Sequence, residues 1–435
     1  MDFLKGLKQS SFLKHNAVFF FGSVAVGALN YLYYPILGRL MPPAAFGEIQ
    51  VLVSLFLQFT IFLNVLTLIT INIAVNYKDT AKAHRMIFEL EKLASYFALG
   101  LLAVSILGGG FLREQLRFDS TLPFVALALA MLASIPLTFR SAYARGQKKF
   151  GIASVSQLLG AGTKIVFSAM LVVLGLGVSG AIFGIVAAQL AAFFYAARWA
   201  ARLGFRRPGD TSYATLPDLK LVVPELKYAA IAFVGLLTIT LMMSIDVIVA
   251  KHYFDAHTAG LYAGIATVAR IAFFLAAPVA QVLMPLVKID KPAHENRALL
   301  QRSILLTVAV CGSFLAVCTV APGMVVKILM GVDYITYAHL LAPLTLSICI
   351  ISIINLICMY YLSLRRKMVM VVGIIGFAAT LSFMLVWHSS LQALVYSMLA
   401  ASILTLTATG TYVLVNLKRG RRYAHENDID RYTNL

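Results

Sequence analysis

Apolar runs of about twenty residues, separated by short polar gaps, recur along the whole chain. Twelve such runs lie at about 16–38, 49–77, 93–112, 121–139, 151–174, 178–197, 228–254, 260–287, 303–326, 341–362, 368–388 and 390–417. A run of this length crosses the hydrocarbon core of a bilayer as a helix. A chain in lipid must also satisfy its own backbone hydrogen bonds, which a helix does internally. A membrane barrel would need strands of about ten residues with period-two alternation, and runs such as 17–38 show none. The pattern predicts an all-α integral membrane protein of about twelve transmembrane helices.

The longest polar break, 198–227, is rich in Arg and contains Pro208, Pro217 and Pro224. It reads as a linker between two six-helix lobes, 16–197 and 228–417. Residues 1–15 place Phe3, Leu4, Leu7 and Phe12 among Lys5, Lys8 and Lys14, which suits a short interfacial helix or a disordered tail equally. No small-residue cleavage site follows, so the first apolar run is expected to be retained. Residues 418–435 form a basic tail.

Weak internal similarity supports duplication. Gly38-Arg39 followed by Phe46-Gly47 matches Ala250-Lys251 followed by Ala259-Gly260. The basic turn that begins at Ala142 matches the one that begins at Tyr360. The second match has a slightly larger offset along the chain than the first. Six helices per half would give parallel repeats.

Charge adds orientation. Of the 36 Lys and Arg residues, 29 fall in the two tails and in alternate gaps, so those loops and both termini are expected on the cytoplasmic side. The net charge of +18 is then a collar facing anionic lipid headgroups. With no basic soluble domain to carry one, a nucleic-acid role is excluded. The four cysteines all lie in apolar runs without a CxxC pair, which argues against a disulfide framework or a metal site.

Three charged residues fall deep inside the runs, away from their ends, where each costs a few kcal/mol unless paired or hydrated. Lys164 is about thirteen residues into the fifth run and Arg270 about ten into the eighth. Asp246 is about eight residues from the outer end of the seventh, and at 1.5 Å per residue its depth differs from that of Arg270 by about 3 Å. Asp246 and Arg270 therefore suit an ion pair between neighbouring helices; alternatively Asp246 is a protonatable coupling site. Lys164 has no acid at matching depth, so it either snorkels or bonds backbone carbonyls, or it joins Arg270 in attracting an anion. Arg39 and Lys251, at repeat-related outer edges, read as interface anchors or as a second anion stop. Gln58, Asn64, Asn72 and Asn76 fall within a sector of about 120° on one helix face, which suits interhelical hydrogen bonding or the lining of a polar cavity. Tyr31, Tyr33 and Tyr34 beside Pro35 offer an aromatic surface for sugar or isoprenoid, or an interfacial belt.

Catalytic and nucleotide-binding signatures do not fit. Gly175-Leu-Gly177-Val-Ser-Gly180 has the GxGxxG spacing but lacks the preceding strand and the following acid that dinucleotide binding needs. It reads as a tight turn, with Gly180 and Gly184 as a small-xxx-small packing pair. Neither a GxxxxGK[ST] loop nor a GxSxG or HExxH motif occurs. Neither enzymatic activity nor a cofactor is expected.

The junction Gly38-Arg39-Leu40-Met41-Pro42 to Phe46-Gly47, the basic turn Tyr143–Phe150 with Gln157, the segment Leu174–Ala181, and Asp246 followed by Ala259–Ala263 together resemble a known family. It is the polysaccharide-transporter branch of the multidrug/oligosaccharidyl-lipid/polysaccharide (MOP) superfamily, which includes Wzx-type flippases. The resemblance implies a MATE-like V of two bundles around a cationic cavity in the bacterial inner membrane. It implies transfer of a polyprenyl-pyrophosphate-linked glycan to the periplasmic leaflet by alternating access. Direction would come from an H+ or Na+ gradient or from removal of product in the periplasm, with glycan polymerase or ligase machinery as partner. A MATE-like multidrug or cation antiporter and a non-transporting subunit of a polysaccharide export machine are the alternatives.

Overall fold

The computed structural model describes residues 10–77, 79–206, 218–287, 293–364 and 368–432. Nearly all of these are helical, and no strand occurs among the described residues. The helices are α1 (Ser10–Leu40), α2 (Pro43–Asn76), α3 (Thr80–Leu107), α4 (Gly109–Gln115), α5 (Leu122–Gly146), α6 (Phe150–Leu171), α7 (Gly177–Arg202), α8 (Leu219–Tyr253), α9 (Ala256–Ala269), α10 (Ile271–Leu286), α11 (Ala293–Val320), α12 (Pro322–Leu329), α13 (Leu341–Ser363), α14 (Met368–Val386) and α15 (Leu391–Tyr432). Nine stretches among the described residues are long and apolar enough to cross a membrane, and Met370–Val386 is a shorter apolar helix. One of the nine, Phe150–Arg202, runs to 53 residues, far more than the roughly twenty a bilayer needs. It folds back on itself at the wide turn Val172–Leu176, where Gly175 and Gly177 take φ of 89° and 52°. The GxGxxG segment therefore opens on a turn, as its place between two apolar runs predicts, and Gly180 lies inside α7.

Most of the predicted runs fall on helices, with three corrections. The third run is expected to begin at 93, yet α3 starts at Thr80, where Asp79 Oδ1 accepts the Ala81 and Lys82 amides at 3.0 and 3.1 Å. Glu89, Glu91 and Lys92 read as loop residues because they are charged, but they sit buried inside this helix. The run 260–287 is broken at Arg270, which separates α9 from α10. The run 303–326 ends at Val320, and Pro322 opens a separate short helix, as proline at a first helical turn favours. Residues 1–9, the linker positions 207–217 and the last three residues of the tail lie outside the described residues.

The helix boundaries carry the duplication. Thr80–Leu107 and Ala293–Val320 are both 28 residues long, so one offset relates both their starts and their ends. Gly109 and Pro322, which open α4 and α12, keep that offset, as do Pro43 and Ala256, which open α2 and α9. Beyond α12 a tight helical turn, Val332–Leu340, has no counterpart. Past it the offset is larger, as Leu122 and Leu341, which open α5 and α13, show. The two offsets visible in the sequence differ because of this one insertion.

The chain divides into two compact units. The first comprises Met1–Phe233, Val247–Val268 and Gly323–His339. Within it α6 and α7 pack through small residues: Ser156 Oγ donates to Ala192 O at 2.9 Å and Ser168 Oγ to Ala181 O at 2.8 Å. Gly184 lies against Ser168, where a Cβ would not fit, the close approach that a small-xxx-small pair allows. The second unit comprises Val234–Asp246, Ala269–Pro322 and Leu340–Leu435. Its centre is α13, against which α10, α11 and α15 pack. Cys311 Sγ points to Ala272 O and Cys349 Sγ to Cys311 O, each at 3.7 Å. All four cysteines are buried free thiols.

Candidate functional site

Lys164 projects from the middle of α6 in the first unit. Its Nζ donates to Asn30 Oδ1 of α1 at 2.6 Å and lies 4.5 Å from the centre of the Tyr33 ring. Asn30 and Tyr33 stand three apart on α1 and so share a helix face. Tyr33 is buried, and its hydroxyl donates to Ala181 O of α7 at 3.4 Å. The ring is thus held from behind and offers its π face to the ammonium, an attraction of about 0.5–2 kcal/mol. Lys164 is half-buried and forms no ion pair among the described residues. Its site is therefore an amide oxygen and an aromatic face, which orient the cation without neutralising it.

Arg270 is placed differently. In the second unit its Nη2 donates to Asp246 Oδ1 at 2.6 Å and its Nε to Met243 O at 3.1 Å. Both charged side chains are buried. The matched depths read from the sequence are realised as an ion pair between α8 and the start of α10. Both residues also lie at the edges of the second unit, since the chain leaves it after Asp246 and re-enters it at Ala269. A buried pair tied down by a second hydrogen bond is costly to break, at about 3–5 kcal/mol when one partner is removed.

Arg39 and Lys251 do not share an environment. Arg39 is exposed, and its Nη2 donates to Ile328 O, one of the carbonyls left open at the C-terminus of α12. Lys251 is 1% exposed. Its Nζ lies 3.5 Å from Glu48 Oε1 of α2 and 5.3 Å from the Phe118 ring centre. The duplication appears in the hydrogen bonds instead. His252 Nδ1 donates to Gln115 O at 2.9 Å. The offset that relates Pro43 to Ala256 also relates Arg39 to His252, and Gln115 to Ile328. The two bonds are thus repeat-related and reciprocal, and they tie the end of each half's first helix to the other half's short helix.

On α2, Gln58 is half-buried, whereas Asn64 and Asn72 are exposed in line with Leu68 and Val75. The polar stripe exists, interleaved with apolar residues.

Sequence reasoning missed three participants. Asn30 stands out only as an isolated amide in an apolar run. Glu48 sits one residue before the expected start of the second run. The third is a buried ionic network near the start of α3. There Lys92 Nζ lies 3.0 Å from Glu89 Oε2, and Arg140 pairs with Glu91. The Asp218 amide also donates to Glu89 Oε2, at 2.9 Å. The two acids balance the two cations, so these four side chains together carry no net charge.

The fold is similar to that of solved transporters of the MOP superfamily. An inward-facing multidrug resistance MATE family transporter of that superfamily aligns over 90% of this chain and 96% of its own, with a TM-score of 0.73 at 12% identity. The lipid II flippase MurJ in an inward closed conformation aligns over 92% and 87%, with a TM-score of 0.65 at 13% identity. A MOP superfamily transporter from Pyrococcus furiosus, described as having a binding pocket of reverse polarity, aligns over 92% and 95%, with a TM-score of 0.56 at 12% identity. The model of the polysaccharide biosynthesis protein family matches residues 12–288, and the chain belongs to that family. No protein of curated function matches it.

Proposed function

We propose that this protein is a flippase for a polyprenyl-phosphate- or pyrophosphate-linked glycan, carrying it from the cytoplasmic to the periplasmic leaflet of the bacterial inner membrane. The observation that carries the reading is Lys164. It is a cation within a membrane helix, oriented by Asn30 and Tyr33 yet left without an acid. A phosphate headgroup cannot enter hydrocarbon unaided, because its charge would be buried unpaired. An ammonium held by neutral partners supplies the missing counter-charge, at about 1.5–3 kcal/mol for a charge-assisted hydrogen bond. The half-buried Tyr31 and Tyr34 beside Tyr33 give the first sugar aromatic surface to stack on. The exposed amides Asn64 and Asn72 suit hydroxyl-rich cargo.

Arg270 is a second anion contact only if Asp246 releases it, so the Asp246–Arg270 pair couples cargo to an ion in this scheme. A multidrug cation antiporter would place an acid where Lys164 stands. The family membership and the fold similarity to a lipid II flippase support the lipid-linked cargo. Binding of a short-chain polyprenyl pyrophosphate to purified protein, measured by calorimetry, tests this. Affinity should fall roughly tenfold or more in Lys164→Met and survive in Lys164→Arg. Equal affinity in wild type and Lys164→Met would remove Lys164 from the cargo site.

A further inference from the structure

We infer that Glu48 and Lys251 form a proton-releasable latch between α2 and the end of α8, at the end of the molecule that the charge pattern assigns to the periplasm. The inference rests on the transport reading only for its purpose; the latch itself stands on the following geometry.

Glu48 lies in the second turn of α2, and Lys251 lies in the last turn of α8. Each charge suits its helix end, an anion near an N-terminus and a cation near a C-terminus. The pair is buried, with side-chain exposures of 1% for Lys251 and 6% for Glu48. Among the described residues Lys251 has one acid partner, Glu48, and one ring, Phe118. Glu48 accepts from Lys251 and, at 3.3 Å, from the Asp119 amide. Asp119 itself is exposed, so Glu48 is one hydrogen bond away from the aqueous surface.

Other charged and titratable groups nearby have partners of their own or face solvent. Arg117 donates to Phe254 O at 3.1 Å, His252 to Gln115 O, and Arg39 to Ile328 O. On the element that follows α8, Asp255 caps α9 through the His257 and Thr258 amides. His257 is exposed. The exposed Asp119 carboxylate bears electrostatically on Glu48, but among the described residues the acid paired with Lys251 is Glu48.

The step is a single proton transfer. A proton from the outer solution binds the Glu48 carboxylate, and Lys251 keeps its own proton and charge. The carboxyl is then neutral, and a buried ammonium is left with only the Phe118 ring. An uncompensated buried charge favours whichever conformation returns it to water, so protonation parts α2 from residues 247–268. The contact that parts is tight but carries no ionic bond of its own. A Cβ on Gly47 would stand 2.9 Å from the Gly260 Cα. The Asp246–Arg270 pair, in contrast, is shorter and also held by Met243 O, so it suits a lasting brace better than a latch.

The test uses the full-length protein in proteoliposomes, with its four cysteines replaced by serine or alanine and a reporter cysteine at Ala259, a position 1% exposed. Labelling by a membrane-impermeant maleimide is followed as the outer pH falls from about 8 to about 5, a range that spans carboxylates raised by burial, with rates normalised for the maleimide's own pH dependence. Labelling of wild type should rise roughly tenfold, one pK unit of differential protonation. Glu48→Gln should label fast at every pH, and Glu48→Asp should restore the pH response. Labelling that ignores pH in wild type, or that stays slow in folded Glu48→Gln, overturns the latch. A normal pH response in a protein that moves no lipid-linked sugar would leave the latch standing and remove the transport reading.

Discussion

Gly47 and Gly260, which occupy equivalent positions in the two repeats, meet face to face: a Cβ on Gly47 would stand 2.9 Å from the Gly260 Cα. A Cβ on Gly260 would in turn overlap the Pro43 carbonyl. Only hydrogen at both positions lets α2 and α9 approach this closely.

Gly260→Val should therefore destabilise the protein by about 1–3 kcal/mol, the usual cost of forcing bulk into a packed contact. Gly162, in α6, has nothing within 4 Å of a built Cβ. Gly162→Ala should be neutral or stabilising by up to about 1 kcal/mol through helix propensity. Thermal unfolding of both variants in one detergent checks the contrast.

The buried pair makes a different prediction. Arg270→Ala leaves Asp246 charged and buried and should cost about 3–5 kcal/mol. Replacing both residues with apolar side chains of similar volume should cost much less. A double-mutant cycle on unfolding midpoints would show strong coupling. Additive effects would mean that the 2.6 Å contact contributes little.

Asp255, outside the membrane stretches, gives a pH signature. Thr258, through its hydroxyl and its amide, holds the Asp255 carboxyl below the usual carboxylate range, with help from the His257 amide. A folded-state value below the unfolded one contributes stability that is present above the unfolded value and is lost as pH falls through the folded value. Asp255→Ala should cost about 1 kcal/mol at neutral pH, as loss of an N-cap does. The gap to wild type should close in acid. Unfolding midpoints of the two proteins across pH measure it.

The apolar runs made the helices legible, and the Gly47/Gly260 and Ala142/Tyr360 spacings made the duplication legible. The Asp246–Arg270 pair was readable because depth in a helix is simply residue count times rise. What was hidden came from treating charge as a marker of loops. Glu89, Glu91 and Lys92 moved the start of α3 because buried charges that neutralise one another look like solvated ones in a sequence. Glu48 was hidden in the same way, and with it the partner of Lys251. The break at Arg270 carries no Gly or Pro to announce it; the guanidinium's bonds back to α8 mark the site only in three dimensions. Tyr33 was visible as an aromatic, but its place beneath Lys164 depends on how α1 and α6 pack.

Leaflet-resolved translocation of a fluorescent polyprenyl-pyrophosphate-linked sugar in proteoliposomes tests the central claim most directly. Wild type should move the lipid well above protein-free vesicles. Lys164→Met should lose roughly tenfold or more of that rate, and Lys164→Arg should keep most of it. Wild-type vesicles that move nothing, or a Lys164→Met protein as fast as wild type, would contradict it.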